Sequence, residues 1–191
     1  MRRPSTSTRS SRRIFQEEGS SSDFGVDPSS QGEADPSTAA RNIVLRRLTR
    51  APQTRAQLEQ ALAAKGIPDE IAGEVLDRMA EVGLVNDSEF AALYVRSRRA
   101  SRGLAPRVLA QELRQKGVDS EVIDAELSGI SHEEDRALAQ SLVSRKLAST
   151  AGLDPEARTR RLASMLMRKG FGPGLAFEVV RSALQQDELF D

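Results

Sequence analysis

The side chains best suited to chemistry in this sequence are arginines and lysines that occur in blocks. Between residues 91 and 116 seven basic side chains accompany a single acid, Glu112. On a helix, Arg98 and Arg102 are four residues apart and project from the same face. Neighbouring residues cannot neutralise so many cations, so the block must face solvent, an acidic partner or phosphate. The basic residues considered for such contacts are Arg96, Arg98, Arg99, Arg102 and Arg107.

A second basic block lies near the C-terminal end of the chain. It is separated from the first by an acidic segment, residues 117–135, which carries seven acids and no lysine or arginine. The alternative for each arginine is a solvated side chain paired with that acidic segment, and for any single arginine this interpretation is favoured. For the first block as a whole both interpretations stay open. The candidates in the second block are Arg160, Arg161, Arg168 and Lys169.

The only histidine, His132, precedes three acids, Glu133, Glu134 and Asp135. A metal site is conceivable there, but acids in the first turn of a helix already have a reason to be present in the helix dipole. We therefore favour a helix start. The sequence has no phosphate-binding loop, no glycine-rich dinucleotide motif, no zinc-protease or serine-hydrolase motif, and no cysteine. We expect no catalytic residues, no cofactor and no bound metal.

The single tyrosine has two possible roles. Tyr94 could stack on a nucleic-acid base. Phe90 lies four residues earlier and Leu93 directly before it. These neighbours favour a core residue whose hydroxyl lies at the rim.

A recurrent spacing of leucine, lysine and glycine predicts the elements that position the basic blocks. The pattern is L-x-x-x-L-x-x-K-G followed by an apolar residue, and its three glycines, Gly66, Gly117 and Gly170, are 51 and 53 residues apart. The two leucines share one helix face. The lysine suits the last turn, and the glycine ends the helix in the left-handed conformation. A near-constant period of this kind indicates tandem repeats.

The composition favours an all-α fold, because charged residues make up 29% of the chain and aromatic residues only 4%. Capping residues and apolar spacing predict nine helices, three in each repeat. Three short helices cannot bury a core alone, so we expect the repeats to stack into an elongated, curved array. With no long apolar run and no signal peptide, we expect a cytoplasmic protein. We assign residues 1–37 to a disordered Ser-rich tail and residues 38–85, 86–130 and 131–191 to the three repeats.

The central repeat carries a recognisable pattern. Residues 90–98 read Phe-Ala-Ala-Leu-Tyr-Val-Arg-Ser-Arg, and Gly103, Pro106-Arg107, Glu112-Leu113 and Lys116-Gly117-Val118 follow. This segment resembles the RecX family of bacterial regulatory proteins. The resemblance covers about residues 38–186 and is most specific in the central repeat. Leu104-Ala105 departs from it, since the family often has a further glycine and a base there.

The resemblance implies a modulator of the recombinase RecA, built from three-helix repeats. Such a protein lies in the groove of the RecA–DNA filament and mainly inhibits the recombinase and ATPase activity of RecA in DNA repair, recombination and the SOS response. The two basic blocks would then supply contacts to the filament or to its single-stranded DNA. We expect a monomer that takes no small-molecule substrate. Two alternatives remain, a stand-alone nucleic-acid-binding helical module and a helical protein-interaction scaffold.

Overall fold

A computed structural model describes residues 35–188. Within that range all regular elements are α-helices, apart from one 3-10 turn at residues 148–150, so the all-α prediction is confirmed. None of these helices is both long enough and apolar enough to span a bilayer. The nine helices are α1 (Pro36–Leu48), α2 (Arg55–Ala63), α3 (Asp69–Glu81), α4 (Asp87–Arg102), α5 (Pro106–Gln115), α6 (Ser120–Ser128), α7 (His132–Leu147), α8 (Pro155–Arg168) and α9 (Pro173–Glu188).

Six of the helices between residues 35 and 188 begin at a residue whose side chain accepts a backbone N–H of the first turn. Two helices start with a capping box, in which the N-cap hydroxyl accepts from the backbone N–H three residues later and the side chain of that residue accepts from the N-cap N–H. These boxes fix the starts of α2 and α7, so the register of both helices is set locally. The pairs are Thr54 with Gln57 and Ser131 with Glu134.

The first helix begins at Pro36, two residues before the predicted start of repeat 1 at residue 38. Asp35 accepts a hydrogen bond from the Ser37 N–H at 3.3 Å, and Pro36 has the backbone angle that a first helical position needs. The helix therefore starts inside the segment assigned to the tail. The rest of that segment, residues 1–34, lies outside the described residues.

The central helix of each repeat, α2, α5 or α8, ends in the same backbone arrangement. The glycine after it is left-handed, with φ of 75°, 78° and 95° at Gly66, Gly117 and Gly170. The next residue donates its N–H to the carbonyl five residues earlier, over 3.2 Å in all three repeats. This bond satisfies a carbonyl that a helix end would leave unpaired. The predicted glycine ends are confirmed.

Each repeat has a hydrophobic core of its own. Within residues 35–188, helices pack extensively only against helices of the same repeat. Neighbouring repeats therefore meet through helix ends and loops. The expectation that three short helices cannot bury a core without stacking is wrong, because each set of three packs its apolar faces against one another. The three cores are built on the paired leucines of the repeat motif, all buried: Leu58 and Leu62, Leu109 and Leu113, and Leu162 and Leu166.

Repeats 1 and 2 are joined where the end of α5 lies against the start of α2, a contact that we call the first junction. The Thr54 hydroxyl donates to the Lys116 carbonyl oxygen over 2.6 Å. A Cβ at Gly117 would lie only 2.3 Å from the Ala56 Cβ. Glycine is therefore required here both by its positive φ and by the close approach of the two helices.

Repeats 2 and 3 are joined in the same way, at a second junction between the end of α8 and the start of α5. The Ala105 N–H donates to the Lys169 carbonyl oxygen over 2.9 Å. A Cβ at Gly170 would lie 2.8 Å from the Val108 Cγ2. The central helices α8, α5 and α2 thus meet end to start, an arrangement in which their dipoles attract.

Candidate functional site

A group of cations lies between α4 and the end of α5, and we call it the central basic cluster: Arg98, Arg102 and Lys116. Glu112 is at its centre, with its carboxylate 3.2 Å from the Arg102 guanidinium and 3.9 Å from that of Arg98. These two arginines share one acid because residues four apart on α4 project from one face toward α5. One carboxylate cannot neutralise three cations, so the cluster keeps a net positive charge.

The cluster is accessible from solvent. The Arg102 side chain is 55% exposed, whereas Glu112 beneath it is only 22% exposed. The acid therefore orients the arginines from the protein side and leaves their outer N–H groups free for a further acceptor. A guanidinium in this position is suited to phosphate or carboxylate oxygens.

The Tyr94 ring lies beneath two cations of the cluster. Its ring stacks on Phe90, with centroids 5.8 Å apart, and the Arg98 guanidinium and Lys116 ammonium lie 4.9 and 5.2 Å from the ring centroid. Its hydroxyl donates to Glu112 over 2.8 Å. Burial and this hydrogen bond raise the pKa of Tyr94 above its ordinary value. The arrangement fits the prediction of a packed ring with its hydroxyl at the rim, and these contacts cover the ring that base stacking would need.

The remaining arginines of the first block have two different settings. Arg96 on α4 and Arg107 in the first turn of α5 are exposed. Arg99 instead forms a 2.7 Å ion pair with Asp135, and their side chains are only 16% and 18% exposed. Since Asp135 belongs to α7, this pair connects repeat 2 with repeat 3. Arg99 therefore helps to hold repeats 2 and 3 together.

The second basic block is likewise divided by the structure. Three of its members are exposed along α8, but Lys169 is half-buried and donates from its ammonium to the Arg102 carbonyl at the end of α4. Burial, then the charges of Arg102 and Arg145, lower the pKa of Lys169 below its ordinary value. Lys169 thus lies in the second junction. The exposed members are Arg160, Arg161 and Arg168.

Beside the central basic cluster lies an apolar groove that the sequence did not predict. It lies between repeats 1 and 2, and Leu84 and Leu93 on its wall are exposed, as is nearby Val82. Its rim also carries the polar side chains of Gln53, Asn86 and Glu89. Pro52 and Phe90 line both this groove and the edge of the cluster. Pro52, Val82 and Leu84 lie in loops, where helical spacing predicts no face, so only the packing of two repeats could reveal the groove.

His132 is the first residue of α7, inside the capping box of that helix. Within residues 35–188, no group of three or more histidine, cysteine, aspartate or glutamate side chains is arranged to hold a metal ion. The acids that follow His132 lie in the first turn, where the helix dipole favours them. The arrangement matches the helix start that the sequence favours.

Three sequence models of the RecX family match the chain, one for each three-helix domain of that family. The first domain matches residues 40–79, the second residues 86–127 and the third residues 133–180. These matches fall on the three repeats of the structure. The resemblance seen in the sequence is therefore confirmed over all three units.

Relatives named "Regulatory protein RecX" match over most of their length. The protein of Streptomyces coelicolor is 49% identical over 175 residues, which is 89% of this chain and 93% of the relative. That of Thermobifida fusca is 52% identical over 148 residues, 78% of this chain and 80% of the relative. That of Mycobacterium avium is 45% identical over 158 residues, 82% and 91% respectively.

Two solved structures have a similar fold. The crystal structure of RecX from Lactobacillus salivarius matches with a TM-score of 0.71 at 20% identity, over 82% of this chain and 99% of that one. A second crystal structure of regulatory protein RecX matches with a TM-score of 0.68 at 25% identity, over 78% and 73%. At 20% identity, the Lactobacillus salivarius structure shows a similar fold and no more, and the similarity covers almost all of its chain.

Proposed function

Because the chain belongs to the RecX family of bacterial regulatory proteins, we propose that it binds the filament that RecA forms on DNA and restrains the recombinase and ATPase activity of RecA. The regulatory role comes with the family, while the filament as target is our proposal. The observation that carries it is the central basic cluster, whose two arginines share one acid and remain accessible beside Lys116. We also propose that the protein acts in the cytoplasm and without catalysis of its own.

The surface around the cluster suits a target made of protein and nucleic acid together. Arginine forks and a lysine can bind phosphate oxygens, whereas the exposed Leu84 and Leu93 offer apolar contact to a protein. A filament of protein on DNA presents both kinds of surface side by side. Free nucleic acid would use the cations but leave the apolar groove empty.

The structure supports two different roles for the predicted basic residues, direct contact with the target and connection of the repeats. We assign direct contact to the exposed arginines of both blocks. Arg99 and Lys169 contribute indirectly, because their charged groups hold repeats 2 and 3 together and so set the spacing of the contacts. The direct set is Arg96, Arg98, Arg102, Arg107, Arg160, Arg161 and Arg168.

A stand-alone nucleic-acid-binding module is the second candidate, and the same cluster favours it. The two candidates differ in how binding responds to salt. A module that binds naked single-stranded DNA through phosphates should bind tightly and lose affinity steeply as salt rises. A filament reader should bind naked DNA weakly and the assembled filament much better.

The test measures DNA-dependent ATP hydrolysis and strand exchange by RecA with this protein added at substoichiometric amounts. We expect inhibition by the wild type and a loss of about tenfold or more in potency for the Arg98→Glu/Arg102→Glu variant, since two phosphate contacts become repulsive. The matched control is Lys146→Glu/Arg181→Glu, which makes the same change of net charge on exposed residues of repeat 3. That control should keep most of its potency.

Two results would count against the proposal. Uninhibited RecA at every ratio would remove RecA as the target. An equal loss of potency in both double variants would show that net charge matters and that the central basic cluster has no special role. Circular dichroism of each variant establishes that helicity is unchanged before potency is compared.

A further inference from the structure

The outer ends of the three-repeat array carry the two halves of a junction that one chain does not close. In each junction, the end of a central helix lies against the start of the central helix of the preceding repeat. Three repeats make two such junctions. The end of α2 in repeat 1 and the start of α8 in repeat 3 are the two halves left over.

The end of α2 is more exposed than the equivalent ends inside the array. The apolar residue after the glycine is buried at Val118 and Phe171, whereas Ile67 is only half-buried. The preceding lysine is half-buried in repeats 2 and 3 but exposed at Lys65. A Cβ at Gly66 would meet no atom within 4 Å. The helix end has the shape of a junction and no neighbour within residues 35–188.

The start of α8 is exposed in the corresponding way. The residues that cap α2 and α5, Thr54 and Ala105, are 0% and 2% exposed because the following repeat covers them. The residue that caps α8, Asp154, is exposed, as are Pro155 and Glu156. All three helices begin with an extended N-cap residue, so their backbone geometry does not explain the difference in exposure. A neighbouring repeat covers the starts of α2 and α5, and none covers the start of α8 within residues 35–188.

We propose that the end of α2 in one molecule binds the start of α8 in a second copy of this chain, so that the array continues head to tail. The Asp154 N–H would donate to the Lys65 carbonyl, as the Ala105 N–H does to Lys169. Glu156 would lie near Gly66. The occupant follows from the match of the two halves, since the same kind of helix end and helix start meet at both junctions inside the array. Lys65 is opposite in charge to the acids of α8, but Asp69 and Glu70 follow it at the start of α3, so net charge does not carry the match.

The proposed contact between copies is heterologous and small. It joins two different surfaces, so it adds copies in a row rather than closing a two-fold dimer. One helix end against one helix start is small beside a stable interface, so dilute protein stays monomeric, as the sequence leads us to expect. Copies aligned on a common template would gain from it through their high local concentration.

The absence of cysteine from the sequence allows a direct test with full-length protein. One variant carries Gly66→Cys, a second carries Glu156→Cys, and the two are mixed and oxidised at high concentration. The matched control replaces Gly66→Cys by Gly83→Cys. Gly83 also ends a helix, with φ of 73° against 75° for Gly66, and also has open space around it. The two variants thus carry the same backbone strain.

We expect the Gly66→Cys mixture to give roughly tenfold or more disulfide-linked dimer than the Gly83→Cys mixture, because docking raises the local thiol concentration. Equal yields would overturn the inference. Should Gly66→Cys lower the helix content, Lys65→Cys takes its place without a positive φ. No RecA or DNA is present, so this result is independent of whether RecA is the target.

Discussion

Replacing Gly117 by alanine should destabilise the protein far more than the same change at Gly66. Both glycines end the central helix of a repeat, with φ of 78° and 75°. An L-residue in this conformation costs about 1–2 kcal/mol at either position. The space differs, because the added Cβ would lie 2.3 Å from the Ala56 Cβ at Gly117 and in open space at Gly66.

The magnitude follows from adding the collision to the strain. Real Cβ atoms essentially never come within 3.0 Å of another atom, so the end of α5 must move away from α2. Overpacking of this kind costs about 1–3 kcal/mol. We therefore expect losses of about 2–5 kcal/mol for Gly117→Ala and about 1–2 kcal/mol for Gly66→Ala.

The assay is urea denaturation followed by helical circular dichroism at several protein concentrations, with Gly66→Ala as the control for strain. A rescue variant, Gly117→Ala with Ala56→Gly, removes the colliding methyl and should recover about 1–2 kcal/mol beyond the sum of the single changes. Equal losses at Gly117 and Gly66, or no recovery in the rescue variant, would refute the view that Gly117 forms the first junction.

Three further predictions concern the cluster and the junctions. The folded state raises the pKa of Tyr94, so the stability that this group contributes is complete below its ordinary pKa of about 10 and is lost as the pH rises through the folded pKa. Ultraviolet absorbance of this sole tyrosine should give a titration midpoint above about 10, and Glu112→Gln should lower that midpoint. Asp135→Asn should lower the free energy of unfolding by about 1–3 kcal/mol, because the mostly buried Arg99 guanidinium loses its charged partner. A double-mutant cycle with Arg99→Gln measures the interaction energy of the pair. Thr54→Val should cost about 1–3 kcal/mol, because one buried hydroxyl both caps α2 and bonds repeat 2, and thermal unfolding would measure it.

Much of the local structure could be predicted because its causes lie within a few residues. Thr54 and Gln57, or Ser131 and Glu134, cap a helix through bonds that span only three positions. The start of α1 was misplaced because its cap, Asp35, follows a stretch with few apolar residues to mark a helix face.

The candidate site was predicted only in part. The sequence identifies the arginines that form the central basic cluster and the single acid within that block. It cannot show that Glu112 is shared by Arg98 and Arg102, because that contact depends on how α5 packs on α4. The apolar groove beside the cluster was missed for the same reason.

By itself the sequence determined the helices, the three-fold repeat and the family, because caps, apolar spacing and the lysine–glycine motif are local and recur. Only the tertiary structure decided what the same motif does at each position. Gly117 and Gly170 are pressed against a neighbouring repeat while Gly66 is open, although all three have the same local sequence pattern. Likewise Arg99 and Lys169 join repeats instead of facing outward. The physical reason is that a junction forms between segments about fifty residues apart, and no periodicity along one helix specifies which of them will meet.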